Sequence, residues 1–473
     1  MTAAHDSAPP SNLSFRDPGG TLIQYNGRIL RAVHPRAAAD LETFLQTDCA
    51  RQAMDSGKLV RSVRVSPSEY PWIETECLLE HERIPFPSYP YEWPAEMLHA
   101  AGELTLELAR AAVVEGFRLK DATPYNVLFR GGDPVFVDVL SFEPRAPGDS
   151  AWIAYAQFVR TFLLPLMAAR YFDMPIDRAL SGHRDGLEPE TVYRWAGPLQ
   201  RLRPPFLGLV SLPKWLKGRE TAATYQPRAS ASPEKARFVL DGILKSCERQ
   251  LRSLQPAATD STWSGYLDHK SIYSSEQLAQ KEAFAAEALD VARPQSVLDV
   301  GANEGHFSFL AAKRGAAVVA IDSDAAVAGS IWRRARREQA PVLPLVVDLT
   351  RPTPAMGWRN QECASFLDRA RGSFDMVMML AVLHHIVVTE RVPLEEVFAL
   401  AAEITREYLF IEFVAPDDPM FQKIVRGRDE LYSHLTQAGF EAAAARSFDL
   451  VRSRRIDGMH RWLYLYRRRQ NNN

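Results

Sequence analysis

One stretch constrains this chain more than any other: Ser296 to Asp324, SVLDVGANEGHFSFLAAKRGAAVVAIDSD. Val297-Leu298-Asp299-Val300 is a short buried-strand pattern, and Gly301 to Gly305 is a tight turn. His306 to Lys313 is an amphipathic helix, and Val318 to Ile321 is a second strand ending at Asp322. Glycines let the backbone turn closely past a ligand, and a helix opening there presents unpaired N–H groups. An acidic residue at the tip of the second strand can accept both hydroxyls of a ribose. The turn is G-x-N-x-G, with Asn303 at its centre, rather than G-x-G-x-x-G, and Asp299 lies inside the strand that feeds it. A carboxylate there repels a pyrophosphate but suits the ammonium of an amino-acid-bearing nucleoside.

The alternation continues to the end of the chain. Val342 to Val347 is a strand ending at Asp348, and Phe374 to Leu380 is a fourth, running into Ala381-Val-Leu-His384-His385. Glu407 to Phe413 is a fifth, followed by the loop Val414 to Pro419. Strands and helices in this order imply a largely parallel sheet. The set resembles motif I and the following elements of the class I S-adenosylmethionine-dependent methyltransferases, over about residues 260 to 470. The resemblance implies a Rossmann-like domain with a mostly parallel seven-stranded sheet. Asp299, Gly301, Asn303, Gly305 and Asp322 would then bind the cofactor, with Asp348 reading the adenine amino group. For Asp348 a second reading stands, a strand-end cap of the next helix. Trp263-Ser-Gly-Tyr266 through Tyr273 and Lys281 resembles the lid helix that many such enzymes fold over the cofactor.

Methyl transfer needs an acceptor nucleophile held in line with the sulfonium methyl, and an alcohol acceptor also needs a base. His385 is the first candidate base and Glu412 the second. His384 and His385 end a strand at the rim where open α/β sheets bind ligands, although either could be a packing histidine. Glu412, an acid within an apolar strand, is either an active-site carboxylate or a paired core carboxylate. No His/Asp/Glu cluster at the strand ends points to a metal. The N-P-P-[YF] tetrapeptide of adenine and glutamine N-methylases is absent, as is a catalytic-cysteine motif for cytosine. Nucleic-acid bases therefore drop as acceptors.

Composition sets the frame. At 473 residues the chain has room for about three structural units. A 46% hydrophobic and 24% charged composition supports sizeable cores. A net charge of −2 advertises neither nucleic acid nor anionic membrane. Cys49, Cys77, Cys247 and Cys363 form no CxxC pair, which suits a reducing cytoplasm. The N-terminus lacks the basic and apolar regions of a secretory signal. The apolar run Thr161 to Ala169, broken by Pro165, is far short of the roughly 20 residues a spanning helix needs. A soluble, cytoplasmic protein is expected.

Upstream, Leu119 to Glu143 reads LKDATPYNVLFRGGDPVFVDVLSFE. Asp121, Asn126, a Gly-rich hairpin turn and a strand ending at Asp138 resemble the catalytic loop of protein-kinase-like and aminoglycoside-phosphotransferase-like enzymes. In that chemistry the first Asp orients a hydroxyl, while the Asn and second Asp hold magnesium against phosphates. A helix is expected from Pro94 to Gly116 ahead of the loop. Strands are expected over Leu22–Val33, Leu59–Val65 and Cys77–Ile84, with Glu42 on an intervening helix. The family's histidine and arginine before the Asp are here Leu119 and Lys120, and its Asp-Phe-Gly is Asp138-Val-Leu. The first lysine of the chain is Lys58, so only Arg31 could stand in for the phosphate-binding lysine. Three readings stand: a degenerate scaffold that binds acceptor or partner, an active phosphotransferase using Mg-ATP, or a chance likeness in an unrelated α+β domain.

Three zones result: residues 1–150, an α+β kinase-like domain; 151–255, a helical region completing it; and 256–473, the methyltransferase domain. The polar stretch Arg219–Ala236 is expected to be a loop, and a helix over Ser232–Leu254 is expected to use Phe238, Val239, Ile243, Leu244 and Leu251. Asn471–Asn473 is expected to be a frayed tail. A kinase-like segment joined to this methyltransferase also resembles host-specificity nodulation proteins and related bacterial methyltransferases, on Lys120–Asn126 and Glu412–Asp418. The expected function is methylation of an oxygen on a sugar-containing or small-molecule acceptor. The alternatives are a bifunctional kinase-methyltransferase and a non-catalytic regulatory scaffold.

Overall fold

The computed structural model of the chain describes residues 11–14, 17–216, 232–257, 273–425, 427, 429–432 and 434–470. The expected lid stretch Trp263–Tyr266, most of the polar stretch Arg219–Ala236 and the tail Asn471–Asn473 lie outside these residues. The chain divides into two compact units, Met1–Ala257 and Ala258–Asn473.

In the first unit, strands β1 (Ser11–Ser14), β2 (Gly20–Tyr25), β3 (Arg28–Val33), β4 (Ser62–Val65) and β5 (Cys77–His81) form an antiparallel sheet of order β1-β2-β3-β5-β4. The expected single strand Leu22–Val33 is instead a hairpin. Asn26 and Gly27 both take positive φ, 48° and 77°, the requirement of a two-residue turn that matches strand twist. The Ala95–Val114 helix follows, with its centre buried from Met97 through Ala109, apart from Glu103 and Glu107. Two short pairs come next, β6 (Phe117–Leu119) with β9 (Phe142–Pro144) and β7 (Val127–Arg130) with β8 (Asp133–Phe136). Among the described residues the remaining elements of the unit are helical, the last being the helix Pro233–Ser253. That helix buries Ala236, Leu240, Leu244, Cys247 and Leu251, a stripe at four- and three-residue steps. Phe238 and Val239 fall off the stripe and are exposed, against expectation.

The second unit is a seven-stranded sheet of β10 (Ser296–Val300), β11 (Ala317–Asp322), β12 (Val342–Val346), β13 (Phe374–Met379), β14 (Thr405–Val414), β15 (Phe448–Arg455) and β16 (Arg461–Arg468). Its order is β12-β11-β10-β13-β14-β16-β15. The first five strands run parallel, and β16 is inserted antiparallel between β14 and β15. β12 is buried at every residue, the signature of a parallel strand covered on both faces. Phe284, Ala288, Phe309 and Ile331 pack with Val297, Val318, Met376 and Phe410 in one core. The order reverses at β10, whose neighbours are β11 and β13, and such a switch point opens a crevice at the strands' carboxyl ends. Among the described residues no helix is long and apolar enough to cross a membrane.

Candidate functional site

At that switch point lies a cavity of about 330 Å³. Its floor is the turn after β10. Gly301, Asn303 and Gly305 all take left-handed backbone, with φ of 68°, 48° and 76°. These alternate positions hold the residue types that tolerate the conformation, which explains the G-x-N-x-G spacing. A side chain at Gly301 would place its Cβ 2.9 Å from Val382 Cγ2, in the cavity wall. Gly305 does not line the cavity; a Cβ there would meet Phe309 at 3.0 Å, so its role is helix packing. The turn is stitched to β11 by Gly301 and Ala302 N–H, which donate to Ile321 O at 2.9 and 3.0 Å.

Two aspartates face this floor. Asp299 is buried, and its Oδ2 accepts from Ser308 Oγ at 2.6 Å. Burial pushes its carboxyl up to about 6, against the pull of Ser308 and Lys281. Asp322 accepts from Asn303 N–H at 2.9 Å and Asp324 N–H at 3.0 Å, and burial raises its carboxyl as well. Asp348 also lines the cavity, but its Oδ1 accepts from Thr350 N–H at 2.9 Å and Thr350 Oγ1 at 2.6 Å, the geometry of a local turn.

The opposite wall follows β13. Ala381 sits at φ 55°, a conformation that costs a non-glycine residue about 1 kcal/mol or more. From His385 to Thr389 the chain forms a π turn, closed by Glu390 N–H donating to His385 O at 3.2 Å. Turns of this kind gather at functional sites. His385 lines the cavity, and burial together with Arg461 lowers its pKa, so its ring is neutral. His384 is buried behind it, ring centroids 4.3 Å apart, and does not line the cavity.

Tyr273 and Lys281 line the cavity, whereas Glu412 does not. Glu412 is fully buried, with Oε2 2.6 Å from Lys281 Nζ and Oε1 accepting from Tyr273 OH at 2.6 Å. Burial opposes its charge, but Lys281 and Arg461 outweigh it and hold the carboxyl at about 2. Of its two sequence readings, the paired core carboxylate is the geometry found. Ser308, Asp418 and Arg461 are site neighbours that sequence reasoning missed. An arginine opening the apolar run Trp462–Tyr466 was the available signal; in the register it stands opposite Val414, two residues along β14 from Glu412.

In the first unit, Asp121, Asn126 and Asp138 do come together. Asn126 Nδ2 donates to Asp121 O at 3.4 Å and to Ser141 Oγ at 3.1 Å, and Ser141 Oγ donates to Asp138 Oδ2. Arg31 Nη1 lies 3.0 Å from both Asp138 Oδ1 and Asp17 Oδ2. Arg31 Nε donates to His81 Nε2 at 3.1 Å, and burial holds that imidazole neutral, with a pKa of about 3. Burial, then Asp138, raises the Asp121 carboxyl. Glu42 pairs with Arg64 rather than Arg31. Among the described residues no group of three or more His, Cys, Asp or Glu is arranged to hold a metal.

The chain is 29% identical over 463 residues to the nodulation protein NoeA of Rhizobium meliloti (strain 1021), covering 96% of this chain and 95% of that one. It is similar to the crystal structure of N-methyltransferase NodS from Bradyrhizobium japonicum WM9 in complex with S-adenosyl-L-homocysteine, with TM-score 0.32 and 13% identity over 45% of this chain and 94% of that one. It is likewise similar to magnesium protoporphyrin IX methyltransferase (ChlM) from Synechocystis PCC 6803 with bound S-adenosylmethionine, with TM-score 0.30 and 15% identity over 45% of this chain and 100% of that one. Residues 269–470 match the methyltransferase domain family. The second unit is thus an S-adenosylmethionine-dependent methyltransferase domain on a Rossmann-like sheet.

Proposed function

We propose that the protein methylates an oxygen of a sugar-containing or small-molecule acceptor. The observation that carries this reading is one cavity holding a buried and a half-buried carboxylate, Asp299 and Asp322, on a glycine-turn floor and a neutral imidazole on the facing wall. Bound there, S-adenosylmethionine supplies an electrophilic methyl group on a sulfonium. The residues present fit it. Asp322 has lone pairs left for ribose hydroxyls after its two backbone hydrogen bonds, and Asp299 offers a counter-ion to the amino-acid ammonium. Asp348 borders the space for the base, while Gly301 and Asn303 let the backbone approach. Tyr273 and Lys281 close the remaining side.

His385 is the general base, because a neutral ring can take the acceptor's proton as its oxygen attacks. Glu412 acts as a buried counter-ion to Lys281 and Arg461; a carboxylate held at about 2 is a weak proton acceptor. The first unit serves as a degenerate kinase-like scaffold for acceptor or partner, a reading supported by Arg31 and Ser141 already engaging Asp138. The four free cysteines suit a reducing cytoplasm.

Calorimetric titration with S-adenosylhomocysteine tests the cofactor assignment. Asp322→Ala is expected to weaken binding at least tenfold, about 1.4 kcal/mol, by removing charge-assisted bonds to the ribose. Unchanged affinity places the ribose elsewhere. A labelled-methyl assay against extracted glycans, lipids, RNA and small metabolites identifies the acceptor; label in RNA alone would refute a sugar or small-molecule acceptor.

A further inference from the structure

Behind the cavity wall made by Tyr273 and Lys281 lies a set of buried charges that the proposed chemistry leaves unused. Lys281 Nζ stands 2.6 Å from Glu412 Oε2 and donates to the Tyr273 hydroxyl at 3.3 Å. The Tyr273 hydroxyl donates to Glu412 Oε1 at 2.6 Å and accepts from Arg461 Nη1 at 2.6 Å. Arg461 grips Asp418 with both arms of its fork, Nε to Oδ2 at 2.8 Å and Nη2 to Oδ1 at 3.0 Å. Arg461 and Glu412 are 0% exposed and Asp418 is 1% exposed.

Two cations face two anions, so the set is neutral. Stability alone is a weak reason for it, since well-packed apolar replacements of buried ion pairs are often neutral or stabilising. What the set supplies is position. It ties the start of β16 (Arg461), the loop after β14 (Asp418) and β14 itself (Glu412) to the segment that opens the Ser275–Ala292 helix. A bidentate arginine–carboxylate fork is the pairing best suited to fix an orientation. The Tyr273 oxygen gives one proton and receives two hydrogen bonds, which uses its capacity and removes it from acid–base work. An ammonium has three N–H groups. One on Lys281 goes to Tyr273 and the ammonium pairs with Glu412 Oε2 at 2.6 Å, so a third N–H remains for the cavity that Lys281 lines beside Asp299.

We propose that Arg461 and Asp418 are positioning residues, acting through Tyr273 and Glu412 to aim the third N–H of Lys281 at the carboxylate of the donor's amino-acid moiety. The inference rests on the reading of this cavity as the S-adenosylmethionine site. Lys281 and Asp299 then form a matched cation and anion for a zwitterion, the first held by the buried fork and the second by Ser308.

Two probes separate positioning from mere support: S-adenosylhomocysteine, which carries the carboxylate, and methylthioadenosine, which lacks the whole amino-acid moiety. Asp418→Leu combined with Arg461→Met removes one anion and one cation together, leaving the Lys281–Glu412 pair balanced. Tyr273→Phe removes the linking hydroxyl and keeps both ion pairs. Each variant is expected to bind S-adenosylhomocysteine about tenfold more weakly by calorimetry, and in the double variant, whose altered residues lie outside the cavity lining, methylthioadenosine affinity is expected within about twofold of the parent. Adding Tyr273→Phe to the double variant is expected to cost nothing further, because both act through one chain of contacts. Equal loss of both probes, or loss of neither, overturns the proposal. Should the double variant not fold, Asp418→Asn, which keeps an oxygen for Arg461 but loosens its fork, takes its place with the same two probes. Failure of the unaltered protein to bind either probe overturns instead the cofactor reading beneath it.

Discussion

Each unit of the molecule gathers aspartates at a loop, and the two gatherings are satisfied in opposite ways. Asp299 and Asp322 receive hydrogen bonds from neutral donors, Ser308 Oγ and the backbone N–H groups of Asn303 and Asp324, and they border an open cavity. Asp138 and Asp17 are closed over a cation of the chain itself, Arg31, at 3.0 Å each. Neutral donors leave a carboxylate's charge uncancelled, so it can answer a ligand's charge; an internal guanidinium cancels that charge in place. Residue type therefore separates the two loops poorly, whereas the charge of the nearest partner separates them well.

The largest expected effect tests whether the backbone of the cavity floor serves a ligand as its carboxylates do. Gly301→Val puts a branched side chain at φ 68° with its Cβ 2.9 Å from Val382 Cγ2. Binding of S-adenosylhomocysteine should fall more than about a hundredfold, roughly 2.7 kcal/mol. Gly116→Ala, at φ 82° with nothing within 4 Å, should cost about 1 kcal/mol of stability and leave binding unchanged. Equal binding losses from the two substitutions would erase the distinction between a site glycine and a turn glycine.

Next in size is the other cluster. Arg31→Met strands Asp17 and Asp138, each about a fifth exposed, without their cation and should destabilise the protein by about 2.5 kcal/mol in a urea melt. Affinity for S-adenosylhomocysteine should not move. Mg-ATP should give no heat with the unaltered protein; magnesium-dependent binding that Asp138→Ala abolishes would show that the cluster opens to a ligand and would break the comparison.

Much of the second unit was legible because its information is local. A turn needing left-handed backbone at alternate positions declares itself as Gly301, Asn303 and Gly305, and a strand tip declares itself as Asp322 after an apolar run. Local reasoning failed where partners come from far along the chain. Glu412 remained ambiguous because Lys281 and Arg461 are 131 and 49 residues away in sequence; Arg461 is brought near when β16 pairs with β14, and Lys281 by the Ser275–Ala292 helix. The buried face of the Pro233–Ser253 helix was readable but missed in part: Ala236, Leu240, Leu244, Cys247 and Leu251 recur at helical spacing, whereas Phe238, larger and more apolar, lies off that stripe and is exposed. The Leu22–Val33 error was of the same kind, since Asn26-Gly27 was a readable turn signal within an otherwise continuous strand pattern.

The smallest of the three site effects is also the sharpest test of what an uncancelled carboxylate costs. The native carboxyl of Asp299 sits at about 6, against 3.8 for the ordinary side chain, so between those values the folded state holds a proton that the unfolded chain has lost. Stability attributable to Asp299 therefore falls as pH rises from about 4 to about 6 and stays low above that. Asp299→Asn keeps an oxygen for the Ser308 hydroxyl and removes the buried charge. At pH 7.5 it should stabilise the protein by about 2 kcal/mol, with the gain shrinking toward zero near pH 4 in denaturant melts at both pH values. The same substitution should weaken S-adenosylhomocysteine binding about tenfold, because the ligand's ammonium loses its counter-ion. A variant that gains stability without losing affinity would mean that Asp299 is strained for some purpose other than the ammonium. One that loses affinity without gaining stability would mean that Ser308 and Lys281 already compensate its burial, and the two clusters would then differ less than their partners suggest.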